Sequence, residues 1–166
     1  DAANNIGVIY ARGEDGIERD LEKAVVWFEK ALELGSDTAE ETIKVFKQAI
    51  VSQEKAEQGD IDAQAFLSDF YLNQVGDYDE SFDWAEKAAD NGSAEGCWLI
   101  GCAYANGRGC LRDDDKSLEY HLRGSKLGHA GCMNNLALAY MIGEFVEQDM
   151  EYAFHLFLRA ARGGYQ

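Results

Sequence analysis

The stretch GCAYANGRGCLRDDDKS, residues 101–117, gathers three glycines and three aspartates, types that elsewhere cradle a phosphate or ligate Ca²⁺. A phosphate cradle needs its glycines to follow a buried strand, and no strand is readable before Gly107. A Ca²⁺ loop needs alternating acids closed by a Glu twelve positions on, and the consecutive Asp113, Asp114 and Asp115 do not alternate. What remains is a turn. Gly107 and Gly109 take up positive φ where one helix ends, and Asp113 caps the next by accepting a hydrogen bond from its free amides.

The other reactive side chains are no better arranged for chemistry. His121, His129 and His155 lack the H-x-x-x-H spacing of a zinc site and no cysteine pair is two apart, so surface histidines and no metal are expected. Cys97, Cys102, Cys110 and Cys132 fit either thiols of a reducing compartment or two disulfides of an exported chain, which leaves the compartment open. A nucleophile needs a base and an orienting acid, and no elbow motif holds Ser or Cys near His. No catalytic residue and no cofactor is expected, and the chain reads as a binding protein rather than an enzyme.

The elements that position these residues are helical. Of 166 residues none is proline, and 46% hydrophobic with 28% charged residues is ordinary for a globular domain with a core. Nothing forbids long helices and no alternating β-branched run argues for strands, so the chain reads as all-α. The net charge of −16 repels nucleic-acid phosphates and anionic lipid surfaces and favours a basic partner. No apolar stretch reaches the ~20 residues of a membrane span, so no membrane insertion is expected, and no basic-then-apolar leader is expected either. Because the chain starts at Asp1 rather than Met, it is expected to be processed or cut from something longer.

The turn recurs. Tyr104, Gly107 and Asp113 are matched 36 residues later by Tyr140, Gly143 and Asp149, and earlier by Tyr10, Gly13 and Asp20 with one extra loop residue; Tyr71 stands before a shortened loop. Gly35, Gly92, Gly128 and Gly164 close WFEKALELG, WAEKAADNG, YHLRGSKLG and LFLRAARGG. Before each Tyr a small–large–small pattern repeats: Ala2, Ile6, Gly7; Ala63, Leu67, Ser68; Gly96, Ile100, Gly101; Cys132, Leu136, Ala137. These intervals lie on one helical face, where small residues let a second helix approach and the Tyr fills the space where the hairpin opens. Cys132 is expected buried, as a small residue of the alanine column.

A tandem hairpin of period 36 with a motif close to A-x-x-x-L-G-x-x-Y-x-x-G-x-G-x-x-x-D-x-x-K-A resembles the Sel-like repeat family, relatives of the tetratricopeptide repeats. The resemblance covers residues 1–35 and 60–166. It implies an α-solenoid of antiparallel helix hairpins, about four full repeats plus one truncated unit, used as a scaffold for protein complexes. As one domain, 1–166, its units run approximately 1–35, 36–59 (truncated), 60–92, 93–128 and 129–164. Between Asp37 and Gln58 there is no Gly or Pro, so the truncated unit is expected to be one long helix or two short ones. The family's per-hairpin disulfide is not carried over, because the cysteines do not recur as a pair per unit.

In such arrays the first helix of each hairpin lines the inner, concave wall. The positions facing a ligand are Asn4, Val8 and Arg12; Ala65, Asp69 and Asn73; Trp98, Cys102 and Asn106; Asn134, Leu138 and Ile142. Amides to meet main chain, an aromatic anchor and aliphatics suit a peptide or protein segment, with Asp69, Asn73, Trp98, Asn106, Asn134 and Leu138 the partner-binding set. The other reading of Trp98, slightly the better supported since most tryptophans are largely buried, is packing between neighbouring first helices. Residues 60–95 hold ten acids against the single Lys87; Asp77, Asp79, Glu80 and Asp83 form an expected acidic landing surface for a basic partner. The expected function is a non-enzymatic interaction scaffold, the alternative an inhibitor or immunity protein neutralising a basic toxin. Neither end carries a polar cap, so further repeats or self-association through the ends are expected.

Overall fold

The computed structural model describes residues 2–14 and 16–163. Among them every regular element is helical, as the composition requires, and consecutive hairpins make the all-α solenoid class that the repeats imply. Two compact units divide the chain, residues 1–77 and 78–166. The first holds α1 (Ala2–Arg12), α2 (Leu21–Glu33), α3 (Ala39–Glu57) and α4 (Ile61–Phe70), the last running into a π-helical turn at Tyr71–Val75. The second holds α5 (Tyr78–Asp90), α6 (Ala94–Asn106), α7 (Asp114–Lys126), α8 (Ala130–Ile142) and α9 (Met150–Ala161).

The second helix of three hairpins starts at the aspartate that the repeat marks. Asp20, Asp113 and Asp149 sit in extended backbone, φ −153°, −150° and −140°, just before α2, α7 and α9. Each carboxylate accepts from the amide three residues on, of Lys23, Lys116 and Tyr152, at 2.8, 3.0 and 2.8 Å. The same aspartates donate their own amides to the carbonyls of Tyr10, Tyr104 and Tyr140 at 2.9, 3.0 and 3.0 Å, which ties each loop shut at its base. Gly107 and Gly109 take the positive φ expected of them, 64° and 71°. The stretch 101–117 is therefore a turn and a cap. Replacing Asp113 or Asp149 by Ala is expected to cost about 1 kcal/mol in urea unfolding, against a few tenths for Asp114→Ala inside the first turn.

In the first unit α2, α3 and α4 are joined through a run of edge-to-face rings, Phe28 to Phe46 at 5.0 Å and Phe46 to Phe70 at 4.9 Å. Phe28 also lies over Gly7 of α1, so close that a Cβ there would be 2.6 Å from its ring. The truncated segment is one helix of 19 residues, α3, flanked by α2 and α4. Where the third loop is shortened, the π-helical turn closes at Gly76, φ 80°, and the amides of Gly76 and Asp77 both donate to the Tyr71 carbonyl at 2.8 and 2.9 Å. Arg12 Nε donates to the Val75 carbonyl at 2.9 Å, and Arg19 pairs with Asp77.

In the second unit the repeat tyrosines join neighbouring helices through their rings. The Tyr104 ring is 5.4 Å from Phe82 of α5 and 5.9 Å from Tyr120 of α7, and Tyr140 meets Tyr152 at 4.8 Å. Gly124 of α7 leaves room for Cys97 of α6 and Cys132 of α8, both fully buried, the second as the alanine column predicts. Gly35, Gly59, Gly92 and Gly128 follow their helices with φ of 92–93°; Gly164 lies outside the described residues. No helix among the described residues is long and apolar enough to cross a membrane.

Candidate partner-binding groove

In the second unit α6, α7, α8 and the loop after α8 enclose a groove of about 450 Å³, within the ~300–1,000 Å³ usual for ligand sites. One side is formed by Cys102, Ala105 and Asn106 of α6, the other by Leu138, Ala139 and Ile142 of α8, with Phe145 at the mouth. Ser117, Leu118 and His121 of α7 form the floor, and Arg112, Asp114 and Glu144 stand around the rim. Asn106 and Leu138 come from the predicted partner-binding set, and Cys102 and Ile142 from the same helix positions.

His121 corrects an expectation. It is not a surface histidine but 5% exposed, its ring flat against Gly101. Asn135 Nδ2 donates to its Nε2 at 3.1 Å, so the ring proton sits on Nδ1, which has no partner. Burial, helped by nearby His129, lowers its pKa to about 4, so it is neutral at physiological pH. The signal was present: His121 follows Asp113 by the interval that separates Phe28 from Asp20 and Phe157 from Asp149. His129 is half-buried and caps α8, its Nδ1 accepting from the Cys132 amide at 3.2 Å, while Nε2 meets Glu95 at 2.8 Å. That bond holds the Glu95 carboxyl below its ordinary value. His155 is exposed as expected.

The other predicted residues fall as follows. Asp69, Asn73, Asn106, Asn134 and Leu138 are exposed. Asn73 donates to Asp69 at 2.7 Å within the first unit, and Asn106 Nδ2 donates to the Cys102 carbonyl at 2.7 Å. Trp98 is half-buried. Its ring stacks on His129 at 5.7 Å, and a Cβ on Gly131 would be 2.8 Å from its Nε1. Of the acidic set, Asp77 is engaged by Arg19 and Glu80 accepts from Trp84 Nε1 at 3.1 Å, whereas Asp79 and Asp83 are exposed along α5. All four cysteines are free, and burial raises each thiol pKa, which keeps the sulfurs unreactive. Among the described residues no His, Cys, Asp and Glu group together to hold a metal ion.

Hairpins tied at the base by a Tyr carbonyl and capped by the following Asp define a tandem helical-hairpin repeat protein. The family model of the Sel1 repeat matches residues 1–36, 61–93, 94–129 and 130–165, and the chain belongs to that family. The matches leave out residues 37–60, the stretch that holds α3. A Sel1 repeat protein from Oxalobacter formigenes is similar in structure at TM-score 0.66 and 27% identity, over 98% of this chain and 72% of that one. A protective antigen present in uropathogenic Escherichia coli strains and displaying an SLR fold is similar at TM-score 0.63 and 22% identity, a likeness of fold alone. That match covers 97% of this chain but 38% of the antigen. Sel1 repeat proteins generally mediate protein–protein interaction, and the family is typically a non-catalytic scaffold.

Proposed function

We propose that this chain is a non-enzymatic scaffold that holds a partner protein or peptide on the first helices of its hairpins. The observation that carries this reading is the exposure of one helix position after another in register: Asp69 and Asn73 in the first unit, Asn106, Asn134 and Leu138 in the second. Side chains that pack no core yet mix amides with aliphatics suit a surface that meets main chain and apolar side chains together. The partner is basic. A net charge of −16 and the exposed Asp79 and Asp83 favour such a partner and make its association salt-sensitive.

Affinity capture from the native source at low and high salt, with Trp98→Ala alongside, tests the reading. Partners are expected at low salt, depleted at high salt, and bound at least ~2 kcal/mol more weakly by Trp98→Ala, as an anchor requires. Unchanged affinity with a lowered melting temperature assigns the Trp98 ring to packing on Gly131 and His129. No partner at either salt removes the scaffold reading.

A further inference from the structure

Two residues of the second unit break the repeat, and both border the groove between α6, α7 and α8. The first is Phe145. It lies five residues after Tyr140, where Gly109 lies after Tyr104, and it shares the left-handed backbone of that glycine, φ 63° against 71°. A bulky side chain held in that region is strained, and such strain gathers at functional sites. The glycine also serves docking: a Cβ on Gly109 would overlap the Tyr78 carbonyl oxygen and come within 2.8 Å of Phe82 Cβ, so the α6–α7 loop lies directly on α5. Phe145 has that Cβ, so its loop cannot settle on α7 in the same way, and the space becomes the groove. Phe145 is 54% exposed at the mouth, in the same lining as Leu138 and the 61% exposed Ile142.

The second is His121, which puts a polar ring with an unpartnered Nδ1 at the floor, where Phe28 fills the matching position of the first unit. Charge completes the description. Arg112, the one cation among the lining residues, is held by Asp114 at 3.0 Å. Glu144, which adjoins Phe145 in the lining, is exposed and without a cation among the described residues.

We propose that this groove seats an extended segment of a partner protein, an aliphatic or aromatic side chain with a lysine or arginine beside it. The apolar side chain enters between Leu138, Ile142 and Phe145. The main chain meets the Asn106 amide, and the cation faces Glu144. The assignment rests on the scaffold reading and narrows it to one site and one chemistry.

Random dodecapeptides displayed on phage and selected on the full chain supply the probe, and the enriched peptide is titrated by fluorescence anisotropy. An apolar residue flanked by Lys or Arg is expected in the consensus. Affinity falls at least ~tenfold in Phe145→Gly and in Ile142→Asp and holds in Glu40→Ala, an exposed position of α3 outside the partner-binding set. Phe145→Gly also raises the melting temperature, because glycine relieves the left-handed strain, so its loss of binding is not a loss of folding. Failure to enrich such a consensus, or peptides indifferent to both groove substitutions, overturns the proposal. If whole-protein capture persists in either case, the scaffold reading stands without the groove; if capture fails as well, both fall.

Discussion

Acidification from pH 7 to about 4 is expected to cost the folded protein about 3 kcal/mol through His121 alone. In the unfolded chain this imidazole has its ordinary value of 6.5, whereas burial brings it to about 4 in the folded state. The unfolded state therefore takes up the proton first as pH falls. The contribution is fully present above pH 6.5, declines by at most about 1.4 kcal/mol per unit below it, and levels off once the folded pKa is passed. Glu95, held low by His129, moves in the same direction but at lower pH. Urea unfolding of the wild type and of His121→Phe at a series of pH values separates the two. The variant should give the flatter profile between pH 6.5 and about 4.5. Parallel profiles would show that the ring is solvated and that the floor of the groove is not dry.

Gly109→Ala is expected to be the most damaging of the loop substitutions, at about 3 kcal/mol or more. Its backbone φ of 71° disfavours any Cβ, and the added methyl would run into the main chain of Tyr78 and into Phe82 in α5. Main chain of a helix cannot move aside as the end of a flexible side chain can. Gly107→Ala is the control: its φ is 64°, but the nearest atom to the new methyl is 3.4 Å away. Only the left-handed strain remains there, about 1 kcal/mol. Thermal unfolding of both variants measures the difference. Equal losses would mean that the α6–α7 loop yields freely, and the close seating on α5 would then carry little of the stability.

Both glycines were legible as punctuation because a period of 36 repeats Tyr, Gly and Asp with their spacing, and each reports a local need: a helix end, a turn, a cap. The contact that separates Gly109 from Gly107 was not legible, since it depends on which helix the loop meets in space. The absence of Gly and Pro from Asp37 to Gln58 narrowed that stretch to one helix or two, and α3 is the one. The π-helical turn at Tyr71–Val75 left no mark beyond a short loop.

The site was partly legible for the same reason. Helical spacing placed Asn106, Asn134 and Leu138 at the surface, yet it also put Ala65 there, which is buried. Counting acids could not tell that Asp77 and Glu80 are engaged by Arg19 and Trp84 while Asp79 and Asp83 face water. Metal spacings alone leave His121 among the surface histidines. Set beside Phe28 and Phe157, its place in an inward-facing aromatic column was already in the sequence. Phe145 opposite Gly109 was readable in the same manner.

The bond between a tyrosine carbonyl and the aspartate amide beyond the loop makes each hairpin indifferent to what lies inside. It closes whether the chain runs from Tyr104 to Asp113, takes one more residue between Tyr10 and Asp20, or shrinks to Tyr71 and Asp77. Lengthening a surface loop is cheap in entropy, about 0.6 kcal/mol per doubling, and here both ends of the insertion are already fastened. Foreign sequence spliced between Gly143 and Gln148 would leave α8 and α9 where they are. Descent can vary these loops one at a time, and a laboratory can use them as sockets for grafted epitopes.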